Sequence, residues 1–371
     1  MKVGLIFGTR PEAIKMAAVY HTLKNNSIDV KVISTGQHKE MLYQVLDLFE
    51  IKPDYELEIM KDGQGLAELT SRLIEKVENV IKKEMFDVIL VQGDTTSAFV
   101  GALVGFYNKI PVGHIEAGLR TGDVYSPFPE EANRKLIGNI AKVHFAPTDV
   151  NVNNLLREGY NKENILKVGN TVIDALCWVK ENKNSDLDRI KEKYNLKDKK
   201  YILMTMHRRE NWGQPMREVL KGARKYLEEN KELYLVFPMH LNPTVRDVIR
   251  EELDSFERKI LIDPLEYLEF ISIMDGSYFI MTDSGGVQEE APSLGKPTLV
   301  LRDTTERPEA IEAGTAKLIG TSSEEVYKYM KLLEGELYEE MSKANNPYGD
   351  GKTSEKILDY LKIYKLRGLQ L

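Results

Sequence analysis

The segment Tyr278-Phe279-Ile280-Met281-Thr282-Asp283-Ser284-Gly285-Gly286-Val287-Gln288-Glu289-Glu290 joins an apolar run to a helix-like stretch through a Ser-Gly-Gly turn. Such a run followed by a helix is typical of one βα unit of a parallel sheet. Backbone N–H groups at the start of the helix can bind a phosphate, and a carboxylate about one turn later can bind sugar hydroxyls. The segment therefore predicts a site for a nucleotide or nucleotide sugar. An ordinary turn capped by Ser284 fits the spacing equally well.

The same strand–helix alternation continues on both sides of this segment and predicts parallel βαβ units throughout. The first series of predicted strands is Val3–Phe7, Val30–Ser34, Val88–Val91, Val112–Ile115, Val143–Ala146 and Ile165–Val168. The second series is Tyr201–Met204, Leu233–Phe237, Ile260–Ile262, Tyr278–Met281 and Thr298–Leu301. The polar segment Glu181–Lys200 separates the two series and is expected to be the boundary region.

This pattern predicts an α/β protein with two Rossmann-like, doubly wound domains. Residues 1–170 form the expected N-terminal domain, completed by a C-terminal helix within residues 354–371. Residues 171–353 form the expected C-terminal domain, which carries the predicted nucleotide site. Ligands of doubly wound sheets bind beyond the carboxyl ends of the strands. We therefore expect the two domains to face each other across a central cleft.

Composition excludes several classes of function. The chain has 371 residues, 42% hydrophobic and 29% charged, with a formal net charge of −7, which argues against nucleic acid as the main partner. Cys177 is the single cysteine, so neither an intrachain disulfide nor a multi-cysteine zinc site is possible. The first residues are typical of a strand and not of a signal peptide, and no apolar run approaches the ~18 residues that span a membrane. A cytoplasmic protein without membrane contact is expected.

No cofactor or metal is expected. The segment after the first predicted strand is Phe7-Gly8-Thr9-Arg10-Pro11-Glu12, where a dinucleotide-binding domain would carry Gly-x-Gly-x-x-Gly. A tightly held NAD is therefore not predicted. The spacing of His, Asp and Glu residues in the strand-end loops is not that of a metal site.

Charged residues follow the strands of the first series. Arg10 suits a phosphate at the mouth of the sheet, or a surface salt bridge. Asp94 either caps the next helix or points toward a ligand. Glu116 is a ligand-facing carboxylate or the partner of Arg120. Glu130 begins a helix, where a negative charge is favourable in any case. Because Asp94, Glu116 and Glu130 fall at one edge of one sheet, they can divide acid and base roles between them.

The second series places His207 directly after its first strand. A histidine at this edge can move a proton or stabilise a leaving phosphate. A lone histidine is more often structural, and only its position at the strand end favours a functional role.

Several long blocks resemble the non-hydrolysing UDP-N-acetylglucosamine 2-epimerases. They are Phe7–Met16, Gly93–Thr96, His114–Arg120, Tyr125–Arg134, His207–Asn211, Thr282–Gly295 and Arg302–Pro308. The resemblance covers nearly the whole chain. It implies a glycosyltransferase-B-like pair of domains, a homodimer, and the interconversion of UDP-N-acetylglucosamine and UDP-N-acetylmannosamine. In this family UDP leaves C1 as the C2 proton is removed, and then adds back to 2-acetamidoglucal.

The resemblance also implies roles for individual residues. The matching catalytic carboxylates are Asp94, Glu116 and Glu130, and His207 matches a histidine near the diphosphate. The residues matched to the UDP site are Arg10, Lys15, His207, Ser284, Gly285, Gly286 and Glu290.

Bacterial relatives that resemble this chain bind a second UDP-N-acetylglucosamine as an activator. The matching positions are Gln37, Glu130, Arg208 and His240. Gly63 stands where those relatives carry an arginine, and Glu40 where they can carry glutamine. Losing a cation and gaining an anion weakens diphosphate binding, so activation stays an open question at this point.

Three other functions remain as alternatives. A hydrolysing epimerase would release UDP and free N-acetylmannosamine. A UDP-sugar glycosyltransferase would need an acceptor. A non-catalytic nucleotide-sugar sensor would not need Asp94, Glu116, Glu130 and His207 together.

Overall fold

The computed structural model describes residues 1–36, 39–61 and 63–366, without the side chains of residues 39, 40 and 366. The chain divides into two compact units. Unit 1 contains Met1–Trp178 and the segment from Tyr348 onward, and unit 2 contains Val179–Pro347. No helix in the described part of the chain is both long and apolar enough to cross a membrane.

Unit 1 is built on a seven-stranded parallel sheet of order β3-β2-β1-β4-β5-β6-β7. Its strands are β1 (Lys2–Phe7), β2 (Asp29–Ser34), β3 (Tyr55–Glu56), β4 (Val88–Gln92), β5 (Val112–Ile115), β6 (Val143–Ala146) and β7 (Ile165–Lys167). Its helices are α1 (Arg10–Asn25), α2 (Lys39–Leu48), α3 (Leu66–Glu84), α4 (Thr96–Tyr107), α5 (Glu130–Ile140), α6 (Asp149–Arg157) and α7 (Thr171–Asn182). The central strands are continuous apolar runs because helices cover both faces of the sheet.

Unit 2 has a six-stranded parallel sheet of order β10-β9-β8-β11-β12-β13. Its strands are β8 (Lys200–Thr205), β9 (Leu233–Pro238), β10 (Lys259–Ile262), β11 (Ile280–Thr282), β12 (Thr298–Val300) and β13 (Ala316–Leu318). Its helices are α8 (Asn184–Lys193), α9 (Gln214–Glu229), α10 (Pro243–Leu253), α11 (Tyr267–Gly276), α12 (Gly285–Glu290), α13 (Pro308–Glu312), α14 (Ser323–Leu332) and α15 (Glu336–Lys343). The prediction of two α/β units with parallel sheets is confirmed.

Both sheets reverse their strand order at one point. In unit 1 the reversal lies between β1 and β4, and in unit 2 between β8 and β11. Loops that leave such a pair of strands run in opposite directions and open a crevice, which is where ligands of doubly wound sheets bind. Arg10 and Asp94 follow the first pair of strands, and His207 and Ser284 follow the second.

The division between the units differs from the predicted boundary at residue 170. It falls after Trp178, inside α7, because the first two turns of that helix belong to unit 1. The polar segment Glu181–Lys200 is also not a plain linker, since it contains α8. The last helix, α16 (Thr353–Leu366), packs on α1, and the N–H of Ser354 donates to Asp174 Oδ1 on α7 (2.6 Å).

Candidate active site

The loop after β1 is fixed by a close approach of backbone to side chains. A Cβ atom at Gly8 would overlap Thr35 Oγ1 and would lie 2.8 Å from Ser97 Oγ, and these two hydroxyls are hydrogen-bonded to each other (2.8 Å). Glycine at this position is therefore required by the protein's own packing.

Glu12 ties the β1 loop to the β4 loop. Its buried carboxylate accepts hydrogen bonds from the N–H groups of Gly8 (3.0 Å) and Thr9 (2.8 Å) and from Thr95 Oγ1 (2.6 Å). Burial raises the pKa of Glu12, and these donors oppose the rise. The sequence signal that could have revealed this residue is its place one turn into α1, where the carboxylate can reach back to the loop.

Glu116 follows β5 with a φ of +65°, in the left-handed region that non-glycine residues rarely adopt. Its carboxylate accepts hydrogen bonds from Lys15 Nζ and Gln92 Nε2, and from Asn170 Nδ2 at 3.3 Å. Backbone strain of this kind persists where the surroundings hold it, and it occurs often at functional sites. Lys15, which was assigned to UDP from the sequence, is thus an ion-pair partner of Glu116.

The alternative pairing of Glu116 with Arg120 is wrong. The Arg120 guanidinium instead donates from Nε and Nη2 to the Glu158 carboxylate, at 2.7–3.0 Å. The Glu116 carboxylate accepts instead from Lys15, Gln92 and Asn170.

Asp94 follows β4 and forms an ion pair with Arg134 of α5. Arg134 donates from Nε to Asp94 Oδ2 (2.8 Å), and its Nη2 lies 2.7 Å from the same oxygen. Arg134 Nη1 also donates to Glu131 (2.9 Å), whose side chain is 0% exposed. The alternative that Asp94 caps α4 is wrong, because Thr95 Oγ1 is the atom that accepts from the helix N–H of Ala98 (3.1 Å).

Glu130 is the first residue of α5 and is half-buried. Within the described residues, its carboxylate makes no hydrogen bond to Asp94 or Glu116. Its helix α5 contacts the loop that carries Asp94, since Asn133 Nδ2 donates to the carbonyl oxygen of Asp94 (2.8 Å). The predicted trio therefore consists of two residues at neighbouring strand ends and a third on the adjoining helix.

In unit 2, the loops after β8 and β11 meet at Asp283. Both oxygens of this fully buried carboxylate lie 3.1 Å from the N–H of His207, and Oδ2 accepts from the N–H of Arg208 (3.0 Å) and from Asn211 Nδ2 (3.0 Å). His207 Nδ1 lies 3.1 Å from Asp283 Oδ1. Asp283 was not among the predicted site residues, although it stands directly before the Ser-Gly-Gly turn.

The Ser284-Gly285-Gly286 turn opens α12, whose first residue is Gly285. The Ser284 side chain makes no capping hydrogen bond, so the simple capping interpretation of this turn is wrong. A Cβ atom at Gly285 or Gly286 would have no neighbour nearer than 3.9 Å. Unlike Gly8, these two glycines are not required by packing within the protein, which fits a turn that a ligand approaches closely.

Glu290 is buried at the end of α12, and Tyr267 of α11 donates its hydroxyl hydrogen to Glu290 Oε1 (2.8 Å). The neighbouring Glu289 is also buried and forms an ion pair with Arg307. Of the two glutamates, Glu289 is thus neutralised by a cation, whereas the Glu290 oxygen is held by a hydroxyl group.

The residues assigned to a second nucleotide-sugar site are partly described. The Arg208 guanidinium donates to the carbonyl oxygen of Asp283 (3.1 Å) and to Glu306 (3.4 Å). His240 is exposed and lies beside Trp212, with ring centroids 5.7 Å apart. Gln37 and the Glu40 side chain lie outside the described residues. Gly63 has a φ of +72° and no atom within 4 Å of a Cβ built there.

Comparison with known proteins identifies the family. A profile of the UDP-N-acetylglucosamine 2-epimerases matches residues 21–362. The UDP-N-acetylglucosamine 2-epimerase of Salmonella typhimurium LT2 is 50% identical, over 99% of this chain and 100% of its own length. The chain therefore belongs to the UDP-N-acetylglucosamine 2-epimerase family.

Solved structures of epimerases agree with this assignment. The protein is similar to the Listeria monocytogenes structure described as a UDP-N-acetylglucosamine 2-epimerase, at 47% identity and a TM-score of 0.90, covering 99% of this chain and 97% of that one. It is also similar to the Neisseria meningitidis epimerase in complex with UDP-GlcNAc, at 47% identity and a TM-score of 0.84, with coverages of 97% and 99%.

Four polar residues of this epimerase-family chain were missed by sequence reasoning: Glu12, Glu131, Arg134 and Asp283. Arg134 and Asp283 contact Asp94 and His207 from positions far away in the sequence. Glu12 and Glu131 lie within four residues of their partners Gly8, Thr9 and Arg134. Among the residues that the structure describes, no group of three or more His, Cys, Asp and Glu side chains is arranged to hold a metal ion.

Proposed function

We propose that this protein interconverts UDP-N-acetylglucosamine and UDP-N-acetylmannosamine without hydrolysis. The observation that carries the proposal is the arrangement of Asp94 and Glu116, which follow the neighbouring strands β4 and β5 and are each paired with a cation. Two carboxylates at one sheet edge, one against an ammonium and one against a guanidinium group, suit the removal of a proton and its return. The Neisseria meningitidis relative, which binds UDP-GlcNAc, supports the choice of substrate.

The chemistry explains why UDP must leave. The C2 proton has no neighbouring carbonyl group to stabilise a carbanion. If a base takes this proton while the C1–O bond breaks, the C2–H electron pair forms a C1=C2 double bond and UDP departs with the C1–O pair. The products are 2-acetamidoglucal and UDP. Addition of UDP to C1 with protonation of the other face of C2 gives the epimer.

The proposed roles divide between the two units. Asp94, Glu116 and Glu130 of unit 1 handle the proton, as base and acid. The Lys15 ammonium lies against Glu116 and the Arg134 guanidinium against Asp94, so these two carboxylates are held in fixed positions.

In unit 2 the proposed task is to bind UDP. Ser284, Gly285 and Gly286 present backbone N–H groups to the diphosphate, Glu290 accepts hydrogen bonds from the ribose hydroxyls, and His207 stabilises the departing phosphate. Arg10 of unit 1 adds a guanidinium for the diphosphate.

Proton NMR of the enzyme with UDP-N-acetylglucosamine in D₂O tests the proposal. UDP-N-acetylmannosamine should appear with deuterium at C2. Free N-acetylmannosamine accumulating together with UDP, and no epimeric nucleotide sugar, would instead identify the hydrolysing reaction. Product formation that needs an added acceptor would identify a glycosyltransferase.

We also propose a homodimer. Apolar side chains are exposed on three packed segments of unit 1, namely Met85 after α3, Phe106 and Tyr107 on α4, and Leu136 on α5. Large apolar side chains exposed on neighbouring segments are typical of a surface that a partner covers. Light scattering of the full chain should give twice the 42.4 kDa monomer mass. Phe106→Lys together with Tyr107→Lys should give the monomer mass, and a wild-type monomer would contradict the proposal.

Activation by a second UDP-N-acetylglucosamine, bound near Gln37, Arg208 and His240, stays a prediction. An assay started with UDP-N-acetylmannosamine alone should then show a lag that a small amount of UDP-N-acetylglucosamine abolishes. A progress curve that is linear from the start of the reaction would exclude activation.

A further inference from the structure

A buried carboxylate beside His207 is not accounted for by binding or proton transfer alone. Asp283 has 0% of its side chain exposed, although a buried carboxylate is unfavourable unless donors surround it. Its donors are two backbone N–H groups and one side-chain amide, and the Nδ1 atom of His207 lies 3.1 Å from it. None of them is a lysine or arginine side chain. The Asp283 carboxylate therefore binds mainly the loop that carries His207.

The contact with the imidazole defines its protonation pattern. With donors directed at both oxygens, the Asp283 carboxylate acts as an acceptor. His207 Nδ1 lies 3.1 Å from Asp283 Oδ1, and an unprotonated Nδ1 would turn its lone pair toward this carboxylate, so the contact favours a hydrogen on Nδ1. A neutral imidazole carries one hydrogen, which leaves Nε2 as an acceptor. The His207 side chain is half exposed, and within the described residues no side chain bonds Nε2.

We propose that Asp283 is a positioning residue that holds His207 in the Nδ1–H form and presents Nε2 to the substrate. This deepens the proposed function, on which the role of His207 rests. Nε2 can then accept a proton when the ring is neutral, or donate one to a departing phosphate oxygen when the ring is charged. A carboxylate behind a catalytic imidazole has this effect on its tautomer and orientation in other enzymes.

A purely structural role for Asp283 makes a different prediction. The same carboxylate also binds the backbone N–H groups of His207 and Arg208 and the side chain of Asn211, so it shapes the loop in any case. If shaping the loop were its whole function, Asp283 would not favour one tautomer of His207 over the other. The position of the imidazole hydrogen therefore separates the two roles.

The experiment is ¹⁵N–¹H NMR of the full chain labelled at histidine, recorded without substrate at a pH where His207 is neutral. His207→Gln identifies the His207 signals by their loss. The wild-type spectrum should show a protonated Nδ1 and an unprotonated Nε2. A proton on Nε2 would overturn the proposal, and this result does not depend on the protein being an epimerase.

Asp283→Asn then tests the consequence for turnover. The amide is expected to move the His207 hydrogen toward Nε2 and to lower kcat about 10- to 100-fold, with UDP affinity changed less than about threefold. An unchanged tautomer with unchanged kcat would overturn the proposal. If this variant does not fold, the wild-type tautomer still decides the question.

Asp275→Asn is the matched control. It makes the same chemical change in unit 2, where Asp275 pairs with Lys180 and Lys191 on α7 and α8. It should leave both the His207 signals and kcat unchanged. A wild-type chain without epimerase activity, but with His207 in the Nδ1–H form, would reject the proposed function while keeping the positioning role.

Discussion

The candidate-site carboxylates of unit 1 and of unit 2 are held in different ways. In unit 1, Glu116 faces the Lys15 ammonium and Asp94 faces the Arg134 guanidinium. In unit 2, the Asp283 carboxylate accepts from N–H groups beside an imidazole, and Glu290 Oε1 accepts from the hydroxyl group of Tyr267. The same fold thus carries one cluster based on ion pairs and one based mainly on uncharged donors.

This difference teaches which cluster is suited to which task. A carboxylate that must gain and lose a proton changes its charge, and a nearby cation keeps it in place while favouring its ionised form. A carboxylate that binds hydroxyl groups keeps its charge, and uncharged donors are enough to orient it. We infer that unit 1 performs chemistry and unit 2 performs binding.

Removing a carboxylate from unit 1 is the strongest test of that division. Glu116→Gln and Asp94→Asn should each lower kcat by about 10²- to 10⁴-fold, because a positioned acid or base contributes that much. UDP affinity, measured by calorimetry, should change little. Glu158→Gln, which removes the partner of Arg120 at the surface, is the control and should keep its activity. Wild-type turnover in Glu116→Gln would contradict the assignment.

Breaking the ion pairs of unit 1 should also reduce its stability. Arg134→Met leaves the fully buried Glu131 without a cation, and the free energy of unfolding should fall by about 3–5 kcal/mol. Urea titration measures the change. Arg217→Met in unit 2 is the control, because its partners Glu251 and Glu252 are partly exposed, and it should cost less than about 1 kcal/mol. If Arg134→Met and Arg217→Met lowered the free energy of unfolding equally, the ion pairs of unit 1 would not be special.

Acid should affect unit 1 before unit 2. Burial lowers the pKa of His114 to about 3 and that of His144 to about 4. The unfolded chain binds these protons below about pH 6.5 and the folded chain does not, so stability is lost as pH falls below 6.5. Each histidine should destabilise the fold by about 2 kcal/mol at pH 5.

Urea titrations between pH 7 and pH 5 check this expectation. His144→Gln should remove about half of the acid-induced loss, whereas His240→Gln at an exposed loop of unit 2 should not change it. An acid dependence that is the same in wild type and His144→Gln would show that the buried histidines are not its cause.

The smallest expected effect concerns the hydroxyl group behind Glu290. Tyr267→Phe removes one hydrogen bond worth about 1 kcal/mol, so UDP should bind about fivefold more weakly while kcat stays the same. Tyr278→Phe, whose hydroxyl donates to the carbonyl oxygen of Leu333, is the matched control. A lower kcat with unchanged UDP affinity would place Glu290 in the chemistry and not in binding.

Much of the fold could be predicted because buried parallel strands are continuous apolar runs. The runs at Val3–Phe7 and Val88–Val91 coincide with β1 and β4. The edge strands β3 and β13 were missed, since β3 has only two residues and a lysine interrupts the apolar residues of β13. The helix α8 was missed because it is mostly polar and buries Leu187 alone.

The site could be predicted only in part. Residue types at strand ends indicated Asp94, Glu116 and His207, since ligands of such sheets bind at those ends. Their partners could not be predicted, because Lys15 is 101 residues from Glu116 and Asp283 is 76 residues from His207 along the chain. Only the folded sheets bring these pairs together.

The last helix affects how the chain can fold during synthesis. Unit 2 is one continuous segment, whereas unit 1 includes α16, which packs on α1 and is translated after the whole of unit 2. At ribosomal speeds of about 5–20 residues per second, the surface of α1 that α16 covers stays uncovered for roughly 20–70 s. The nascent chain therefore contains the whole of unit 2 before unit 1 receives the helix that covers α1.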